Sequence, residues 1–254
     1  MKKQRLSAEE SRERLIVAGI ESLAERGLAI GLDAVSLEQA VRDAEVPRSS
    51  AYAALSDDDR SPQENFQRAV LMRAIDDRRE TKDALEREIA AFMESAPTEW
   101  SKQELLRELV KVAATKNLQL VSDSRSWQIV FTMRSIMHTA DSSSLLDDEL
   151  LQWLSTNEEE LRNETIETLY KPMAEVFGFR PRREFGEKAW HLAEIASSSL
   201  SEGLSMRRRL PAGEYFFGLA HPEEPESTDW SLMALLFDEI IDTFFEPVSE
   251  GAPS

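Results

Sequence analysis

The sequence predicts an all-α protein, with a three-helix module over residues 1–60 and a larger helical domain over 61–254. Three observations carry this expectation. Apolar residues recur at three- and four-residue spacing along most of the chain, and no stretch sustains the apolar–polar alternation of a strand. Helix-start signals also recur. Ser7-x-x-Glu10, Ser36-x-x-Gln39, Ser61-Pro62-Gln63-Glu64 and Ser101-x-x-Glu104 each place Ser three residues before Glu or Gln, the pattern of a capping box. Finally, the 254 residues include only 9 Gly and 10 Pro, with 41% hydrophobic and 31% charged residues. That composition suits a folded, helix-rich chain rather than a disordered or all-β one.

The elements follow in order. From Ser7, the residues Leu15, Ile16, Ile20, Leu23 and Ala24 share one helical face, and Gly27 suits the position just past the helix end. Ser36 opens a short second helix lined by Leu37, Ala40, Val41 and Ala44. "EVPR" makes a turn, where Pro47 forbids unbroken helix, and a third short helix runs through "SSAYAAL". Ser61 with Pro62 at the first helical position and Glu64 at the third starts a long helix towards Glu80, carrying Phe66, Ala69, Val70, Arg73 and Ala74 on one side. Further helical segments are expected near 82–95, 101–121, 124–140, 145–154, 157–177, 184–206 and 229–245. "GFRPRREF" reads as a loop and "RRRLPAGEYFFGLAHPEEPEST" as a long connection.

Composition narrows the chemistry. Without cysteine there are no disulfides and no thiolate metal sites. The only histidines are His138, His191 and His221, and neither "EKAWH" nor "AHPEE" has metal-ligand spacing. No Gly-rich phosphate loop or nucleophile elbow occurs, so neither an enzyme nor a cofactor is expected. "MKKQRLSAEESRERL" lacks the apolar core of a signal peptide. The longest apolar runs, such as "SLMALLF", fall far short of the roughly 20 residues a spanning helix needs. A cytoplasmic protein with no membrane partner is expected. The net charge of −18 is unevenly spread: eight basic and nine acidic residues up to Leu55, then 22 and 39 beyond it.

The stretch Ala44-Glu45-Val46-Pro47-Arg48-Ser49-Ser50-Ala51-Tyr52-Ala53-Ala54-Leu55 sits where a helix-turn-helix motif would need small contact residues and a narrow second helix. Here the chain resembles the TetR family of transcriptional regulators, whose pattern runs roughly Ala-Gly-Val-Ser-x-Gly-Thr-Leu-Tyr-x-x-Phe. Ala44, Val46, Tyr52 and the apolar Leu55 are the shared anchors, with Ser36 starting the first helix of the motif. Three positions depart from the pattern. Glu45 stands at the turn glycine, Pro47 replaces a small polar residue, and Leu55-Ser-Asp-Asp-Asp-Arg60 lengthens the step into the fourth helix.

The resemblance implies a DNA-binding domain over 1–60 and an effector-binding, dimerising domain over 61–254. Its partners would be a pseudo-palindromic double-stranded operator, a second copy of the chain and a small-molecule effector. Tyr52 would give its hydroxyl to a phosphate, the alternative being a Tyr packed between helices. Arg48 would contact a base or phosphate, the alternative being a solvated turn residue. Ser36, Ser49 and Ser50 either cap helices or touch the backbone. Arg60 stands in for a basic phosphate contact, and Lys2, Lys3 and Arg5 form a basic tail. Trp127, Phe131, Met137, His138, Trp153 and Tyr170 are the candidate lining of a mainly apolar effector pocket, with plain core packing as the alternative. Trp190, Ala193, Ser197 and Leu200, with Leu236, Ile240 and Phe244, are the candidate dimer interface. The last helix is apolar on two stripes and must bury both, one against its own domain and one against a partner subunit, the alternative being a monomer with a deeply buried last helix. The acidic balance and Asp57–Asp59 keep a second reading open, in which a TetR-like fold serves as a protein-interaction or ligand-sequestering module.

Overall fold

A computed structural model describes residues 6–26, 35–56, 59–137, 148–208 and 215–248. Among them the chain is all-α apart from one two-stranded ladder. Contacts divide it into two compact units, Met1–Arg78 with Ser124–Asn157 and Arg79–Asp123 with Glu158–Ser254.

In the first unit, α1 (Ala8–Arg26) packs against α2 (Leu37–Asp43), α3 (Arg48–Ala54), α4 (Pro62–Asp76) and α7 (Arg125–Met137). The Ser7 and Glu10 side chains bond each other's backbone N–H at 3.0 and 2.7 Å, so α1 opens on a reciprocal cap. Ser61 and Glu64 do the same for α4. Leu15 and Leu23 of α1, Leu37 of α2, Ala51 of α3 and Phe66, Val70 and Ile75 of α4 meet in one core with Ile129 and Met133 of α7. The start of α8 (Asp148–Thr165) adds Leu150 and Leu154 to it.

Gly19 sets how closely α1 and α4 approach. A Cβ there would lie 2.4 Å from Val70 Cγ2 and 2.8 Å from Phe66 Cζ. Just past α4, Arg78 is only 1% exposed. Its Nε–H donates to the Ile75 carbonyl at 3.2 Å, an NH2 hydrogen goes to Asn157 Oδ1 at 3.3 Å, and its guanidinium lies 5.3 Å above the Trp127 ring. The buried charge is thus met by polar acceptors and a π face.

Between α2 and α3 the chain turns tightly. The N–H groups of Glu45 and Val46 donate to the carbonyls of Arg42 and Val41 at 3.3 and 3.2 Å. Glu45 takes φ of 51°, left-handed backbone that favours glycine. Buried Val46 then plugs the core, and Pro47 leads into α3. Glu45→Gly is expected to raise stability by about 0.5–1 kcal/mol, as relief of the left-handed strain exceeds the added freedom of the unfolded chain. A urea midpoint at or below that of the wild type would show the turn to be unstrained.

In the second unit, α6 (Lys102–Asp123), α10 (Lys188–Arg208) and α11 (Leu232–Phe244) pack on one another. α5 (Arg78–Ser95) is fixed along α8 by Lys82, which bonds both Glu86 and Glu164, and by Arg79 to Glu164. The sequence suggested two helices over 145–154 and 157–177. Instead α8 runs unbroken through Ser155-Thr156-Asn157 to Thr165, because Asn157 is buried and bonded to Arg78 rather than loosening the helix. A π-helical turn, Ile166–Tyr170, then leads into α9 (Lys171–Phe177). Pro172 lacks an N–H, so the regular ladder is interrupted, and the Lys171 N–H reaches back five residues to Ile166.

Gly178 ends α9 with φ of 73°. The loop expected at "GFRPRREF" contributes β1 (Phe179–Pro181), paired antiparallel with β2 (Phe245–Pro247), with Arg180 opposite Glu246. The described residues of the long connection before α11 fold against the second unit. Leu219 and Trp230 exchange backbone hydrogen bonds at 3.0 and 3.1 Å. His221 stacks on Trp230 with ring centroids 4.5 Å apart. Arg107 pairs with Glu223 and Glu224, and buried Lys111 bonds Glu224 at 3.1 Å and Asp229 at 3.4 Å.

Candidate nucleic-acid interface

α4 holds α2 and α3 by their ends. Leu37 N–H, an orphan donor of the first turn of α2, donates to Gln63 Oε1 at 2.8 Å, and Gln63 Nε2 donates to the Val35 carbonyl at 2.6 Å. At the other end, Asn65 Nδ2 donates to the Leu55 carbonyl at 3.0 Å. Gln63 and Asn65 therefore tie the α2–turn–α3 segment to one rigid helix through backbone atoms. Neither role is legible in the sequence, since a Gln or Asn inside a helix carries no spacing signal.

With Ala51 and Leu55 facing the core, α3 turns Arg48 and Ser49 to solvent and leaves Ser50 and Tyr52 half-buried. Tyr52 packs against the core cluster, so its packing role is realised. The Arg48 guanidinium lies 5.4 Å from the centre of the Tyr52 ring and bonds Glu38 Oε1 at 2.7 Å. Tyr52 first, and then the Glu38 carboxylate, raise its pKa. Ser36 caps α2, its Oγ accepting from the Gln39 N–H at 3.4 Å. Arg60 points to Glu149 of α8 at 2.8 Å, and Glu149 also holds Arg68 at 2.7 Å. Lys2, Lys3, Arg5, Asp57 and Asp58 lie outside the described residues.

The proposed pocket residues are spread over both units. Trp127, Phe131 and Trp153 belong to the first, where Trp127 and Phe131 meet with centroids 5.3 Å apart. Among the described residues the buried Trp127 indole N–H has no hydrogen-bond partner. Tyr170 belongs to the second, where its hydroxyl shares a 2.6 Å bond with Ser197 and burial pushes its pKa well up. His138 and the Met137 side chain lie outside the described residues.

Of the residues proposed for dimerisation, Trp190, Ala193 and Ser197 are buried inside the second unit, with Trp190 packed 4.8 Å from Phe245. Leu200, Ile240 and Phe244 are half-buried, and Leu236 is 38% exposed. The exposed apolar stripe on α10 lies one face over: Leu192, Ile195 and Met206, with Ser199 and Gly203 between them. Its three- and four-residue spacing was present in the sequence, but the buried stripe beside it has the same period.

Among the described residues, no helix is long and apolar enough to cross a membrane. No group of three or more His, Asp or Glu side chains there could hold a metal ion. No family model, curated protein or solved structure matches the chain.

Proposed function

We propose that this protein is a TetR-like transcriptional regulator. In this reading α2 and α3 form a helix-turn-helix, and two copies of the chain read the half-sites of a pseudo-palindromic operator in the cytoplasm. The single observation that supports it best is the α2–turn–α3 segment. Its second helix turns Arg48 and Ser49 outward, and its ends are bonded to α4 by Gln63 and Asn65. A recognition helix needs this arrangement: N-terminal side chains free to reach base edges on a segment fixed in orientation. Specificity rests on Arg48, whose fork matches the O6 and N7 acceptors of guanine. The exposed stripe of α10, with Leu236 of α11, is the surface for the second copy. An apolar effector in the helical domain would alter operator affinity by binding two states unequally, with α4 as the connecting element.

The test is fluorescence anisotropy with duplex DNA from upstream of the protein's own gene, at low salt. The Arg48→Ala/Tyr52→Ala double variant is expected to bind about 100-fold more weakly, the loss of one bidentate base contact and one phosphate contact. Failure of the wild type to bind any such duplex, or an unchanged affinity in the double variant, removes these residues from a DNA role.

A second reading is a TetR-like fold used as a protein-interaction or ligand-sequestering module. The pairing of Arg48 with Glu38 and of Arg60 with Glu149 favours it, because both candidate contacts already have carboxylate partners. A stable dimer that captures a protein partner while showing no salt-sensitive DNA binding would support that reading over the first.

A further inference from the structure

Resting on the DNA-binding reading, we propose that Glu38 is a specificity-determining residue, a carboxylate that holds Arg48 for a guanine and penalises binding to DNA that lacks one there.

Glu38 and Arg48 are ten residues apart, on α2 and α3, and only the turn through Glu45 brings them together. The contact is a single bond, from one NH2 hydrogen to Oε1 at 2.7 Å. A guanidinium carries five N–H groups in a rigid fork, so one such bond leaves enough donors for a bidentate pair. The Tyr52 ring supports the guanidinium, 5.4 Å from the ring centre. Arg48 is thus constrained on two sides while its side chain stays 71% exposed. Nothing in this arrangement has to break when the fork meets a base edge, and the rotamer freedom of a long side chain is already restricted before binding.

Where no guanine lies opposite it, Arg48 finds no matching pair of O6 and N7 acceptors, and Glu38 then acts in the opposite direction. Its side chain is 57% exposed on the same face, where a carboxylate repels the duplex. A phosphate out of reach of the fork as Glu38 holds it is contacted only by giving up that bond. The same residue therefore strengthens the guanine contact and weakens contacts without sequence information.

The experiment starts from duplexes that the wild type selects from a randomised pool. Dissociation constants are measured for the selected duplex and for its scrambled counterpart, at two salt concentrations, with wild type, Glu38→Gln and Glu38→Asp. Glu38→Gln is expected to lower the ratio of selected to scrambled affinity by about three- to tenfold, the range set by holding one long side chain in place. The change should combine weaker binding to the selected duplex with tighter binding to scrambled DNA. Glu38→Asp keeps the charge but shortens the reach, so it should lower the ratio chiefly by weakening the selected duplex. In an Arg48→Ala background, Glu38→Gln should leave the ratio unchanged. Thermal midpoints equal to the wild type's confirm that the variants fold. An unchanged ratio in both single variants overturns the role of Glu38 while leaving the DNA reading intact. A wild type that selects no duplex overturns that reading and this role with it.

Discussion

Trp230→Ala is expected to destabilise the second unit by about 3–5 kcal/mol, the range for removing a fully buried large aromatic. Trp230 has no exposed surface and sits in the core shared by α6, α10 and α11. Its indole N–H donates to Glu224 Oε2 at 3.3 Å, the Lys111 ammonium lies 5.1 Å from its ring centre, and His221 stacks on it. Truncation opens a cavity and removes the surface on which the 219–231 segment closes. It also strips the π face from buried Lys111. Burial alone pulls the pKa of that ammonium down, but Glu108 and Glu224 outweigh it and the net shift is upward. Trp230→Phe keeps most of the packing and loses the indole bond, so a cost of about 1 kcal/mol is expected. Amide hydrogen exchange resolves the two units separately. Protection of α6 and α11 unchanged in Trp230→Ala would show that the segment adds nothing to the unit it covers.

Gly19→Ala is expected to destabilise the first unit by about 1–2 kcal/mol, although alanine is the better helix former by up to about 1 kcal/mol. The added methyl would meet Val70 Cγ2 at 2.4 Å and Phe66 Cζ at 2.8 Å, and both side chains are fully buried. Valine is stiff about χ1, so the contact is relieved by moving the helices apart rather than by a rotamer change. α4 carries Gln63 and Asn65, so that movement also reaches the ends of α2 and α3. Under the DNA-binding reading, operator affinity should fall with stability. The matching check is a double-mutant cycle. In a Val70→Ala background the cost of Gly19→Ala should shrink by at least half, and strict additivity would place the strain elsewhere.

Much of the local structure was legible because it rests on local chemistry. Ser7 with Glu10, Ser36, and Ser61 with Glu64 cap the helices they signal, since a cap is completed within four residues. Glu45 stood out only against the glycine of the TetR pattern, and its φ of 51° is the left-handed backbone that such a glycine would adopt without strain. α8 shows the limit. The segments expected over 145–154 and 157–177 leave a gap at Ser155-Thr156, yet α8 runs through it, with Asn157 buried against Arg78, 79 residues away.

The candidate interface was legible only in part. Arg48 and Tyr52 stood out by type and place. Their coupling to Glu38, and the clamps of Gln63 and Asn65, depend on long-range approach. On α10, two stripes of equal period competed, and periodicity does not say which one meets its own domain. Ala189, Ala193 and Leu204 are buried while Leu192, Ile195 and Met206 stay exposed.

By itself, then, the sequence determined the all-α class, the helix starts and the turn between α2 and α3, because capping, periodicity and proline chemistry act over a few residues. Tertiary structure alone decided that residues 124–157 join the N-terminal unit, that Arg78 is buried, which stripe of α10 is exposed and that Glu38 holds Arg48. Those outcomes depend on which surfaces meet, and that is set by shape and packing across residues far apart in the chain.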